Sequence, residues 1–343
     1  MTNADDARRR TTRRRLLQGG AAVVVAMTVL DRASGATATV NMQLGWLAGG
    51  NQIGEVAALQ LGYFTEEGLD FKIQPGGPNN DGIAIVASGR YDVGQVSSSP
   101  SLMLAVSQDI PIKCFAVSAQ RHPYAFFSLG KNPVRSPADL RGKKVGIQAT
   151  GVILLRALLT KNGIDPKDVQ IVTIGSEMTP LMTGQVDVVT GWVTNTTALR
   201  VIGPDRVVFK LWDAGVKLYA NPYYATTDTL AGRGDLLARF LRAAARGWEF
   251  AYHNRDRAVE LLVKTYPNLV AQDERAAADV MLDACFTQAT QEHGYGTMDT
   301  AIWQEQISLY SQLGQFAKRT PKVDEVMTLD ILDATAAARP RIG

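Results

Sequence analysis

Two tryptophans head the residues that could do chemistry in this 343-residue chain. Trp46 lies in Gly45-Trp46-Leu47-Ala48-Gly49-Gly50-Asn51-Gln52-Ile53-Gly54-Glu55, and Trp192 in Gly191-Trp192-Val193-Thr194-Asn195-Thr196-Thr197. Each ring is followed by a turn rich in amides, hydroxyls or glycine. A broad flat ring beside free donors suits a small-molecule pocket. A glycine-rich turn that runs into a helix also exposes N–H groups without internal partners, which suits a polar or anionic group. Taken alone, the Trp46 stretch reads equally well as an ordinary strand–helix turn with a core Trp. Hydroxyls recur at Ser97-Ser98-Ser99-Pro100 and at Thr150-Gly151, both at expected helix starts. One Ser there is good capping chemistry. Three in a row favour a ligand contact, with Ser98 and Ser99 as the nominees and Thr150 and Gly151 as their counterparts.

Other chemistries find no residues to carry them. His122, His253 and His293 have no metal-ligand spacing, and there is no C-x-x-C, H-E-x-x-H, Ser–His–Asp pattern or phosphate loop. No cofactor, metal or catalytic residue is expected. Cys114 lies in a strand-like run and Cys285 in a helical one, which reads as two separately buried thiols rather than a disulfide.

The elements that must position these groups follow from periodicity. Val40 to Leu44 alternates as a strand before the Trp46 turn, and Glu55 to Leu61 follows as a helix. Strand and helix alternate onward to Val117. A similar half begins near Asn132 and ends at the Trp192 turn. Polar turns therefore fall at the carboxyl ends of strands in both halves, where open α/β sheets bind ligands. Two aromatic, Pro-containing runs, 119–127 and 218–226, would join the halves and supply a hinge and cleft floor. They nominate Gln120, His122 and Tyr223. After Thr229 the chain turns helical, with Leu237, Phe240, Leu241, Ala244, Trp248 and Ala251 at helical spacing, and no chemistry is assigned to it.

Length and composition agree with two lobes: 46% apolar and 20% charged residues describe a globular chain. The net charge of +3 belongs to the start. The first 38 residues hold seven Arg against three Asp, so the rest is about neutral and nucleic acid is not implied. Thr12-Arg13-Arg14-Arg15-Leu16-Leu17-Gln18 resembles a twin-arginine export motif. A modest apolar stretch to Leu30 and an A-x-A site at Ala36-Thr37-Ala38 follow it. A signal peptide over 1–38 and a periplasmic destination are expected.

The ordered motifs Leu44-Gly45-Trp46, Leu61-Gly62-Tyr63-Phe64-Thr65-Glu66-Glu67-Gly68-Leu69-Asp70, Gly89-Arg90-Tyr91-Asp92-Val93-Gly94, Asp139-Leu140-Arg141-Gly142-Lys143-Lys144-Val145-Gly146 and Leu181-Met182-Thr183-Gly184-Gln185-Val186-Asp187 span almost all of the chain after the leader. In this order they resemble the periplasmic solute-binding proteins of ABC importers, in the family handling thiamine-pyrimidine precursors, riboflavin, sulfonates, taurine and nitrate. The resemblance implies an α/β type II periplasmic-binding-protein fold with two crossover hinge strands. It places lobe 1 at 39–122 and 224–343 and lobe 2 at 123–223, and implies a monomer that delivers its ligand to a membrane permease and ATPase. It further implies that Trp46, Asn51 and Gln52 from one lobe and Trp192 and Asn195 from the other face the ligand. Pyrimidine-binding relatives often carry a Glu where this chain has Thr196. A planar nitrogen heterocycle is favoured. A small organic anion is the alternative, and a pyrimidine-synthase-like enzyme a remoter one.

Overall fold

The computed structural model describes residues 37–77 and 80–343. Most of the expected leader, with its twin-arginine motif, lies outside them. Ala38, the last residue of that expected leader, is the first of strand β1 and pairs with Leu69.

Two five-stranded sheets organise the chain. The first contains β1 (Ala38–Leu44), β2 (Leu69–Gln74), β3 (Val93–Gln95), β4 (Ile112–Ala119) and β10 (Ala220–Thr226), in the order β2-β1-β3-β10-β4. The second contains β5 (Tyr124–Leu129), β6 (Lys144–Ile147), β7 (Gln170–Thr173), β8 (Val188–Trp192) and β9 (Arg206–Lys210), in the order β7-β6-β8-β5-β9. β1 runs parallel to β2 and β3, and β6 parallel to β7 and β8, whereas β5 and β10 run antiparallel to their neighbours. The chain crosses between sheets twice, at 120–123 and at 211–219. Residues 220–223, expected in the second lobe, pair with β3 and β4 in the first sheet. The expected boundary at 223 therefore falls inside a strand, and the crossovers themselves are short irregular segments.

Both sheets are covered on both faces, as parallel strands require. In β5, Tyr124 and Phe126 join the main core while Ala125 and Phe127 pack with Met178, Leu181, Val186, Val189 and Leu199 on the other face. On the first lobe, the helix Gly234–His253 buries Leu237, Phe240, Leu241, Ala244, Trp248 and Ala251, the stripe its spacing predicts. It lies close to the helix Ile53–Gln60 because both contacts are glycines. A Cβ on Gly247 would come within 2.1 Å of the Gly54 carbonyl, and one on Gly54 within 2.2 Å of the Trp248 ring. The last third of the chain, including the helices Ala271–Cys285 and Thr300–Gln312, completes this lobe. Both cysteines are free and buried there, Cys114 against Met298 and Cys285 against Ser118. Among the described residues, no helix is long and apolar enough to cross a membrane.

Candidate functional site

The ends of β1, β3 and β4 in the first sheet and of β6 and β8 in the second meet at the crossovers. His122 lies on the first of these crossovers. Its own backbone N–H donates to Leu218 O on the other crossover (3.1 Å). Its Nδ1 accepts the Tyr124 backbone N–H at 3.2 Å. The ring proton therefore belongs on Nε2, which is buried and has no protein partner. Burial alone pushes the imidazole down to about 3, so it is a neutral donor near neutral pH. Trp192 stands edge-on to it, with ring centroids 5.1 Å apart.

Two further buried hydroxyl oxygens near the crossovers lack partners, Ser98 Oγ and Thr194 Oγ1. Ser98 is bridged to Ala220 at the start of β10. Thr194 follows Val193, whose N–H donates to Pro123 O. Buried polar atoms are nearly always satisfied in native proteins, and exceptions mark ligand or water positions. Arg121, the cation nearest in sequence, is exposed.

Asn221 ties the first-lobe turns together. Its backbone N–H donates to Ser97 O and its side-chain Nδ2 to Asn51 O, both at 3.3 Å. It holds a left-handed backbone, φ 49°, which Asn tolerates better than other side chains. The Trp46 turn is pinned by Gly45 N–H to Gln95 O (2.7 Å) and Gly76 N–H to Trp46 O (2.9 Å). Trp46 itself is 45% exposed and its neighbour Leu47 60%. In the second lobe, Gly151 lies under Tyr124, where a Cβ would fall 2.3 Å from the phenol oxygen. That phenol, pushed up to about 12 by burial, donates to Thr190 Oγ1 at 2.8 Å. Thr150 and Asn195 are exposed at their turns.

Four residues expected on the cleft wall belong to the interior instead. Gln52 donates to Gln95 Oε1 (2.9 Å), and Gln95 donates to Glu55 Oε1 (2.8 Å). Glu55 also accepts the Tyr223 hydroxyl, which lies 3.0 Å from that of Tyr295. Gln52 and Tyr223 are thus members of a buried polar chain between sheet and helices. Ser99 Oγ donates to Gln306 Oε1 (2.6 Å) and accepts the Tyr219 N–H (3.2 Å). The Gln120 amide donates to Thr297 O at 2.9 Å. Each supplies packing bonds that a sequence cannot tell from ligand bonds. Burial raises Glu55 to about 7, with the Tyr223, Gln95 and backbone bonds opposing the rise.

The lobes are held together across this region. From the second lobe, Thr196 Oγ1 donates to Asp273 O (2.8 Å), Thr197 Oγ1 to Asp273 Oδ2 (2.6 Å) and the Arg200 guanidinium to the same oxygen. At a separate point Lys161 meets Glu305 at 2.5 Å. The two surface depressions of note lie elsewhere, one beside Lys113, Gln304 and Lys322, the other beside Tyr252, Arg255 and Arg275.

Two sheets joined by paired crossovers, with parallel strand ends facing a shared seam, define the periplasmic-binding-protein class of fold. The aliphatic sulphonate-binding protein SsuA of Escherichia coli superposes with a TM-score of 0.68 at 16% identity, over 86% of this chain and 99% of its own. A family model described as NMT1/THI5 like matches residues 50–258, and the chain belongs to that family. The formylaminopyrimidine-binding protein of Halalkalibacterium halodurans is 30% identical over 286 residues, covering 80% of this chain and 84% of that protein. A 4-amino-5-hydroxymethyl-2-methylpyrimidine phosphate synthase of Legionella pneumophila is 24% identical over 242 residues, covering 69% and 76%.

Proposed function

We propose that the protein is the exported solute-binding component of an ABC importer, and that it closes around a planar nitrogen heterocycle and delivers it to a membrane permease. The observation that carries the ligand class is the neutral, buried His122 with its free Nε2–H beside Trp192. A ring nitrogen or carbonyl is a fitting acceptor for that proton, and the unpartnered Ser98 and Thr194 hydroxyls can donate or accept at other edges. An anion would find less here: Arg121 is exposed, and the Arg200 guanidinium is already committed to Asp273. The relationship to a formylaminopyrimidine-binding protein supports the same class.

Catalysis is the second reading, because a pyrimidine phosphate synthase is also a relative. Both thiols are buried and bonded to first-lobe partners, Cys114 to Met298 and Cys285 to Ser118, and burial pushes both far above the range of a reactive thiol. This favours capture over turnover. The test is a thermal-shift and calorimetric screen of formylaminopyrimidine, riboflavin, taurine and an alkanesulfonate against purified protein. A heterocycle at a hundredfold excess over Kd should add about 2.7 kcal/mol of stability. Recovery of the bound compound unchanged is the expected result. Stabilisation by sulfonates alone would overturn the ligand class, and conversion of the pyrimidine would overturn the binder reading. Retention in the cytoplasm of a precursor carrying Arg13→Lys and Arg14→Lys is expected for the twin-arginine route, with unchanged export as the opposing result.

A further inference from the structure

The helix Ala271–Cys285 belongs to the stretch whose sequence pattern shows only packing, yet its first turn touches both turns of the candidate site. Asp273 receives Thr197 Oγ1 and the Arg200 guanidinium on one carboxylate oxygen, and Thr196 Oγ1 on its backbone carbonyl. All three donors come from the segment directly after Asn195. Glu274, the next residue, lies against the other turn. A Cβ on Gly50 would come within 2.3 Å of Glu274 Oε2. Burial pushes the Glu274 carboxyl up, while the Gly50 amide pulls it back.

The exposures separate this contact from an incidental one. The Asp273 side chain is only 6% exposed, although its Arg200 partner is 60% exposed. Both of its side-chain donors, Thr197 and Arg200, belong to the second lobe and are lost when the lobes part. The Lys161–Glu305 pair, by contrast, is well exposed at both ends, and such pairs contribute little. Hydrogen bonds to a buried charge are among the stronger ones, and removing the partners leaves that charge to be resolvated.

We infer that Asp273 and Glu274 are positioning residues: Asp273 clasps the Asn195–Arg200 segment to hold the lobes closed, and Glu274 fixes the Gly49–Gln52 turn opposite. The inference rests on the proposed reading of the seam as a ligand site. A clasp of this kind populates the closed form before ligand arrives and so raises the apparent affinity by the competent fraction. It acts chiefly on dissociation, because a bound ligand leaves only when the clasp opens.

The first arm of the test uses no ligand. Spin labels at Lys72→Cys and Lys167→Cys report the distance between lobes, since both native thiols are buried. The parent protein should give one short distance. Asp273→Asn, Thr197→Val and Arg200→Gln should each add a longer, broader population, and the reversed pair Asp273→Arg with Arg200→Asp should restore the short one. An unchanged distance in all three single variants overturns the clasp. If Asp273→Asn fails to fold, the two second-lobe variants still decide. For Glu274, amide exchange at 47–54 should quicken several-fold in Glu274→Ala and stay near the parent in Glu274→Gln. Equal exchange in Glu274→Ala and the parent overturns that half. The second arm titrates formylaminopyrimidine. Asp273→Asn should weaken binding about tenfold, with release quickened by more than association changes, and a loss confined to association overturns the role assigned to the clasp. Failure of the parent to bind this probe would count against the ligand class alone, because the first arm judges the clasp separately.

Discussion

At the scale of single residues, two buried groups pull the pH dependence of stability in opposite directions. Glu55 rises from 4.5 to about 7 on folding, so the folded state holds its proton more tightly than the unfolded chain. Its neutral form stabilises fully below 4.5, and that contribution, about 3 kcal/mol, is lost as pH climbs through 7. His122 falls from 6.5 to about 3, so its contribution is present above 6.5 and is lost as pH drops toward 3. Between pH 4.5 and 6.5 these two slopes oppose each other, so the parent profile should change less with pH than that of a variant lacking either group. Denaturant melts should then show Glu55→Gln losing stability steadily as pH falls from 6.5, and His122→Asn losing it as pH rises from 4.5 to 7. A flat profile in both variants would contradict both assignments. Binding residues should separate from these. Trp192→Ala should cost about tenfold or more in formylaminopyrimidine affinity with a small change in melting temperature, because the ring is only half buried. Trp46→Ala should behave likewise, and an equal loss of stability and binding would make either ring a packing residue.

At the scale of elements, the strands and long helices were legible because each has one period and one buried face. The helix Gly234–His253 and strand β1 are where alternation and helical spacing put them, within two residues at each end. Strand β9 and the short helix Thr196–Arg200 were not legible, since five residues give too little pattern. The candidate site was legible as turns at strand ends, but not residue by residue. Gln52, Ser99, Gln120 and Tyr223 are polar at the right places in the chain and still point into the core. Asp273 acts on residues more than seventy positions away, a pairing that no local pattern records. Asn221 was missed for the same reason: its left-handed backbone matters only because β10 carries it between two turns from elsewhere. Asn221→Val should destabilise by about 1–3 kcal/mol and weaken binding, whereas Asn221→Gly should keep the backbone and lose only the side-chain bond. Equal melting temperatures for Asn221→Val and the parent would show that the turn relaxes without cost.

At the scale of the whole molecule, closure and core are linked through the first lobe. Cys114 and Cys285 are both fully buried there, and burial pushes both thiols far up. A thiol reagent should therefore modify the native protein only as fast as this lobe opens, and formylaminopyrimidine should slow that rate several-fold if the seam is the ligand site. Rapid modification of either cysteine in the native state would contradict the packing described for it.

The order of strands in the first sheet has a consequence in time. All five strands of the second sheet lie in one uninterrupted stretch from Tyr124 to Lys210, so that sheet can form as soon as the stretch is made. β4 is made earlier but joins its sheet only through β10, whose last residue is Thr226. During synthesis the inserted lobe can finish before its host, while Ile112–Ala119 waits as an apolar, unpaired edge. A chain halted before residue 220 would expose that edge, which is the kind of segment that recruits other chains.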